Sequence, residues 1–307
     1  MDSVAQQVMN ADDPEISTLT TEAEAMAARG DLVREHVALK LENRLLTADL
    51  VDSRSEVDRL IYIASHDLRA PLRGITHLSA WIEEDLERLV PEEERGEIAQ
   101  NFDLMRGRVH RLELLVDGLL EYSRAGRGRY DVGAQGDAEG AGADAELVAP
   151  AVLARELLRH PGRYLTSDEA ARVELAAGPG GDTALPHGAA LRVVLSHLIA
   201  NAARHGAGDD RAGPLRVTLS TRDVGDGAHV EVTVADDGQG IDERYHRRIF
   251  ELFQTLEPRD RTEAAGIGLA VVERVVTRHG GTVTVASSPG EGASFSFTWP
   301  RLPHTSR

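Results

Sequence analysis

The chain has 307 residues, with 34 Lys or Arg against 51 Asp or Glu and a formal net charge of -17. That length supports roughly two domains with a real core, and a hydrophobic content of 41% excludes a chain that is disordered throughout. The acidity argues against binding the phosphate backbone of nucleic acid or an anionic lipid surface, and the lack of cysteine excludes disulfides, thiolate metal sites and a cysteine nucleophile. No apolar run approaches a membrane span and no basic-then-apolar leader opens the chain, so no membrane insertion and a cytoplasmic location are expected. Aromatics are only 4%, which leaves the core to Leu, Val, Ile and Ala. Lys40 is the only lysine, a bias that suits either a GC-rich genome or an acidic adaptation to salt.

Residues 1–30 mix alanine and polar residues without a pattern and read as a flexible tail, frayed or partly helical. From residue 31 to 64 a seven-residue repeat follows. One track is Leu32, Leu39, Leu46, Ser53 and Leu60; the other is His36, Asn43, Leu50, Val57 and Ala64. Alternating steps of three and four are the seam of a coiled coil, and a buried Asn43 would fix its register in a parallel dimer. A long amphipathic helix in a monomer is the alternative. The repeat slips at Ala64, where Leu68, Leu72 and Ile75 continue in a new register, and Pro71 removes a helix hydrogen bond. The slip predicts a helix reaching about Val90 with a disturbance at 64–71. After Pro91, the stripe Ile98, Phe102, Met105, Val109, Leu112, Val116, Leu119 predicts a second helix. Residues 56–125 then form a helical hairpin, and two copies make a four-helix bundle. The Gly, Ala and Asp of 126–146 read as a linker.

From 147 to 303 the pattern changes. Helices are expected at 147–160, at 188–205 and around Leu269, Val272 and Val276. Period-two segments at Val217 and Leu219, at Val230, Val232 and Val234, at Val283 and Val285, and at Phe295, Phe297 and Trp299 predict strands with one buried face. The mixture predicts a two-layer α/β sandwich with mostly antiparallel strands.

Four segments carry chemistry. In the run from Ile63 to Leu72, His66 stands beside Asp67. A carboxylate that accepts one imidazole N–H fixes the tautomer and leaves the other nitrogen nucleophilic, as a phosphoryl acceptor requires. Asp236-Asp237-Gly238-Gln239-Gly240-Ile241 ends a strand with an acid suited to an exocyclic amine and glycines that let the backbone approach a base. Gly266-Ile267-Gly268-Leu269 runs into a helix whose first N–H groups favour phosphate. Asn201 lies one turn before Arg204 on a helix; its amide oxygen suits Mg²⁺ and the guanidinium suits phosphate. Taken singly, each also reads as ordinary: a solvated His–Asp pair, a turn, a loop entering a helix, a surface Asn.

Their order is not ordinary. His-Asp-x-x-x-Pro, an Asn helix, D-x-G-x-G, Ile249-Phe250-Glu251-Leu252-Phe253, G-x-G-L and Gly290-Glu291-Gly292 together closely resemble a sensor histidine kinase of two-component signalling, over about residues 56–300. The run His-Asp-Leu-Arg-Ala-Pro-Leu-Arg is similar to phytochrome-type kinases. The resemblance implies a homodimeric dimerisation and histidine phosphotransfer hairpin, followed by an ATP-binding domain of the gyrase, MutL and chaperone type. It implies that His66 takes the γ-phosphoryl group of ATP, that Asp67 orients and deprotonates it, and that the phosphoryl group passes to an Asp of a response regulator receiver domain. It gives Asn201 to Mg²⁺, Arg204 to phosphate, and Asp236 with Gly238, Gly240 and Ile241 to adenine. Gly266, Gly268 and Leu269 fall to the lid and phosphate-facing helix, and Phe250 and Phe253 to the lid anchor.

Three positions depart from that pattern. His197 replaces an Asn one turn before Asn201, and Ala264 replaces the first lid glycine. Ala70 stands where relatives that also dephosphorylate their partner carry Thr or Asn, so weak phosphatase activity is expected. A degenerate nucleotide-binding scaffold and a gyrase- or chaperone-type ATPase are the competing readings; the latter lacks the His66 helix. With only about 30 residues before the coiled coil, the input is expected from a separate sensor protein, through the coiled coil, or from chain not present in this sequence.

Overall fold

The structure is a computed structural model that describes residues 14–90, 96–128, 130–131, 137–138, 147–206, 213–225, 227–256 and 265–301. The seven-residue periodicity becomes one long helix, α1 (Pro14–Leu89). It starts well before the expected residue 31. Proline suits the first helical turn, and the Ala and Glu of residues 22–28 are strong helix formers, so the helical part of the expected tail covers 14–30. The side chains of Leu32, Leu39, Asn43, Leu46 and Leu50 lie outside the described residues. Of the seam positions that are described, Val57 and Leu60 are 51% and 61% exposed in the single chain. The helix also runs unbroken through 64–71 with Pro71 inside it.

Helix α2 (Gly96–Gly126) packs antiparallel to α1, and the pairs fix their register. Arg69 donates to Asp117 at 2.6 Å, Thr76 to Glu113 at 3.0 Å, and Arg106 pairs with Glu83. Leu72 packs on Val109 and Val116, with Met105 alongside. The apolar stripe read on α2 divides: Val109 and Val116 face α1, while Leu112 and Ile98 stay exposed with Leu68, Ile75, Leu78 and Ile82 of α1.

Within 126–146, α2 ends at Gly126, a turn follows at 127–128, and two short strands pair, β1 (Tyr130–Asp131) and β2 (Asp137–Ala138). Helix α3 (Pro150–Arg159) opens the second half. The sequence reading has no counterpart for the next two elements, α4 (Ser167–Ala171) and β3 (Val173–Ala177). α4 is held by a capping box in which Thr166 and Glu169 satisfy each other's amides. Then come α5 (Gly188–His205), β4 (Leu215–Asp223), β5 (His229–Asp236), two single-turn 3-10 helices, α6 (Gly268–Arg278), β6 (Val283–Ser287) and β7 (Ala293–Pro300).

The sheet runs in the order β3-β4-β5-β7-β6, parallel between β3 and β4 and antiparallel elsewhere. The period-two residues point to one face. Phe295, Phe297 and Trp299 alternate along β7 and are almost fully buried. Burying each contributes about 1.5–3 kcal/mol relative to exposure. Val194, Leu195, Leu198 and Ile199 of α5 and Val271, Val272, Val275 and Val276 of α6 share that core. A layer of helices on one mixed sheet is the expected two-layer sandwich.

Candidate functional site

His66 stands on α1 with its side chain 70% exposed, and its Nδ1 lies 3.2 Å from Asp67 Oδ1. The flanking residue Ser65 is buried while His66 is not, so α1 turns the imidazole away from its packed face. With Nδ1–H donated to Asp67, the lone pair rests on Nε2, which points the nucleophile outward.

The nucleotide-type motifs gather at one end of the sheet. Half-buried Asp236 ends β5, and its Oδ1 accepts from the N–H of Gly238 at 2.9 Å and of Ala293 at 3.3 Å. Gly238 is packed so closely that a methyl there would stand 2.5 Å from Gly206. Gly240 has φ +71°, and a side chain would collide with the Ser288 carbonyl. Ile241 donates its N–H to Ser287 Oγ at 2.7 Å. Asn201 is half-buried on α5. Gly266 has φ +67° and packs on Gln254 just before α6, while Gly268 and Leu269 form its first turn. Phe250 meets Phe295 edge-on at 6.4 Å. Phe253 adopts φ +64°, a strained left-handed conformation for an aromatic residue. Ala264 and residues 257–263 lie outside the described residues.

Arg204 is engaged elsewhere. Its Nε donates to Glu169 at 2.8 Å and its Nη2 to the Tyr164 carbonyl, so it braces α5 against α4. The Thr166-x-x-Glu169 box was the sequence signal for that partner.

Polar contacts that sequence reasoning does not reveal join the halves of the site. Arg274 of α6 donates to Asp58 of α1, with both side chains about nine-tenths buried or more (7% and 6% exposed), and stacks over the Tyr122 ring at 4.2 Å. Ser123 of α2 donates to the Asp58 carbonyl at 2.6 Å. Higher on α2, Glu121 lies 3.2 Å from His197 Nε2 and 2.9 Å from Arg163, and accepts from the Tyr164 hydroxyl at 2.6 Å. Ile267 packs on Gly118, within 2.7 Å of where a methyl would stand. The cross-helix pairs Ser123 with Asp58 and Asp117 with Arg69 bracket His66, so the imidazole is level with residues 117–123 of α2. Gly118 and Glu121 lie in that same stretch.

Burial alone would raise the Glu121 carboxyl. The His197 charge and contact, the Arg163 guanidinium and the Tyr164 hydroxyl outweigh burial and hold it at about 2, below the ordinary 4.5. The Tyr164 hydroxyl is pushed up, first by burial and then by the Glu121 charge. A carboxyl lowered in the folded chain stabilises it above the unfolded value, and that stabilisation disappears as pH falls through the folded one. The stability difference between wild type and Glu121→Gln, measured by chemical denaturation, is therefore expected to shrink as pH falls from 4.5 to about 2. A difference that stays constant over that window contradicts this account of the contact.

Comparison with known proteins identifies two domain types in the chain. Residues 56–128 match the His Kinase A (phospho-acceptor) domain, and residues 187–303 match the histidine kinase-, DNA gyrase B-, and HSP90-like ATPase. Cyanobacterial phytochrome B of Nostoc sp. is 31% identical over 265 residues, covering 82% of this chain and 30% of its own length. The alginate biosynthesis sensor protein KinB of Pseudomonas aeruginosa is 31% identical over 240 residues, 77% of this chain and 36% of its own. Sensor histidine kinase ZraS of Klebsiella oxytoca is 29% identical over 239 residues, 77% and 44% respectively. The chain thus spans less than half the length of these curated relatives. The crystal structure of full-length ShkA in complex with AMPPNP superposes with a TM-score of 0.51 at 25% identity, covering 81% of this chain and 47% of that one. No described helix is long and apolar enough to cross a membrane. With both domain types in order, and His66 on the first of them, the chain belongs to the sensor histidine kinases.

Proposed function

We propose that the chain is an ATP-dependent protein histidine kinase that phosphorylates its own His66 and passes the phosphoryl group to an Asp of a response regulator receiver domain. The observation that carries this reading is the level match: the exposed His66 stands opposite the stretch of α2 on which the ATP-binding half docks. The His66 Nε2 lone pair attacks the γ-phosphorus of ATP, the bond to the β,γ-bridging oxygen breaks, and ADP leaves. The imidazole proton goes to Asp67. Such transfer depends on positioning and charge neutralisation. Asp236 accepts the adenine amine, with Gly238, Gly240 and Ile241 shaping the space for the base. Asn201 fits a hard cation that takes its remaining ligands from phosphate and water. Mg²⁺ bound there would neutralise phosphate charge.

The exposed apolar residues Leu68, Ile75, Leu78, Ile82 and Leu112 suit a second copy of the hairpin, giving a homodimeric four-helix bundle. The α1 helix offers a mechanical route for input from a separate sensor. Ala70, exposed and without a polar side-chain atom, supports weak phosphatase activity. A cytoplasmic location fits this chemistry.

Incubation with γ-labelled ATP and Mg²⁺ tests the reading. Acid-labile, alkali-stable label on wild type and background label on His66→Gln is the expected result. Nucleotide binding without label would favour a degenerate scaffold instead.

A further inference from the structure

His197 lies one turn before Asn201, at a position where the family resemblance implies an Asn. Its two ring nitrogens face different parts of the chain. Nε2 lies 3.2 Å from Glu121 on α2. Nδ1 lies against the first turn of α6, where a methyl built on Gly268 would stand 3.0 Å from it. The ring meets Tyr164 edge-on at 5.0 Å. Glu121 is itself held by Arg163 and the Tyr164 hydroxyl. The imidazole is therefore held from the hairpin side, with its other nitrogen against the first turn of α6.

A carboxylate 3.2 Å from one imidazole nitrogen holds the ring by charge, without an aligned hydrogen bond, and leaves the other nitrogen on the opposite side of the ring. Here the other nitrogen stands at a helix N-terminus, the end whose N–H groups and dipole favour an anion. We infer that Glu121, a residue of the phosphotransfer hairpin, is a positioning residue of the nucleotide site and acts through His197. The hairpin thereby supplies part of the nucleotide affinity. Without Glu121 the ring is no longer ordered in advance, and the cost of ordering it falls on ligand binding. A substitution that looks like a defect in the ATP-binding half becomes functional once α2 is docked. This inference rests on the reading of residues 187–303 as the ATP site.

Calorimetric titration of the full chain with Mg²⁺–AMPPNP tests it, using wild type, Glu121→Gln, His197→Asn and the double variant. Glu121→Gln is expected to weaken binding about 5- to 10-fold, within the usual range for coupled sites. In the His197→Asn background the same change is expected to alter binding less than about 2-fold, because the pathway through the imidazole is gone. In autophosphorylation the KM for ATP is expected to rise with Glu121→Gln more than the rate at saturating ATP falls. Should Glu121→Gln fail to fold by circular dichroism, Glu121→Asp takes its place, with a smaller loss expected. Unchanged affinity in a folded variant, or equal weakening in both backgrounds, would overturn the inference while leaving the kinase reading intact. A wild type that binds no Mg²⁺–AMPPNP would overturn both.

Discussion

Asp236→Asn is expected to weaken nucleotide binding by about 30-fold or more while leaving the fold intact. The argument is local. Asp236 Oδ1 already takes the N–H groups of Gly238 and Ala293, and an Asn oxygen placed there still accepts both. The other carboxylate oxygen becomes an NH₂ group, which cannot accept from the exocyclic amine of adenine. Losing a hydrogen bond to a charged group costs about 1.5–3 kcal/mol, and two donors left facing each other add a desolvation penalty. Each 1.4 kcal/mol is tenfold in affinity. Asp237→Asn is the control: Asp237 accepts from the Arg216 N–H at 2.9 Å on the exposed side of the same turn, and its amide would do the same. Calorimetry with Mg²⁺–AMPPNP reads both. Equal affinity in wild type and Asp236→Asn would remove adenine from this pocket.

Asp58→Ala is expected to destabilise residues 58–301 by about 3–5 kcal/mol, the range for removing one partner of a buried ion pair. The loss comes from Arg274, whose buried guanidinium would lose its carboxylate and keep the Tyr122 ring against its charge. The pair itself need not stabilise: desolvating two charges offsets most of their attraction. Replacing both at once, as Asp58→Leu with Arg274→Met, is therefore expected to lie much closer to wild type. Thermal and denaturant unfolding of the two single variants and the double variant separate these terms. A single variant within about 0.5 kcal/mol of wild type, the range of an ordinary surface substitution, would show that Arg274 finds another partner and that this contact does not join α6 to α1.

The local geometry of the candidate site was legible in the sequence because each motif is short. The His66–Asp67 step, the Asp236-to-Gly240 turn and the Gly266-Gly268 helix start need only neighbouring residues to set their geometry. Period two likewise located β4, β5, β6 and β7, since one buried face is enough to impose it. Elements without a strong period escaped: β3 is five residues on the sheet edge, and α4 is a single capped turn. Arg204 shows the limit of position alone. It lies three residues after Asn201, yet Glu169, 35 residues earlier, claims its guanidinium. Contacts between the halves left no sequence signal at all. Asp58 and Arg274 are 216 residues apart, and nothing in either local pattern marks a buried partner. Glu121 reads as one polar position on an amphipathic helix, and His197 as a missing Asn. Only the packing of α2 on α5 and α6 makes them a pair.

The central claim is that the imidazole at position 66 receives the γ-phosphoryl group of ATP. Locating the phosphoryl group after incubation with Mg²⁺–ATP, by mass spectrometry of peptides kept at alkaline pH, tests it most directly. The account predicts phosphohistidine on the peptide containing His66 and on none of the other eleven among the 12 histidines. Phosphate on a different histidine, on a hydroxyl side chain, or nowhere in a chain that still binds nucleotide would contradict it.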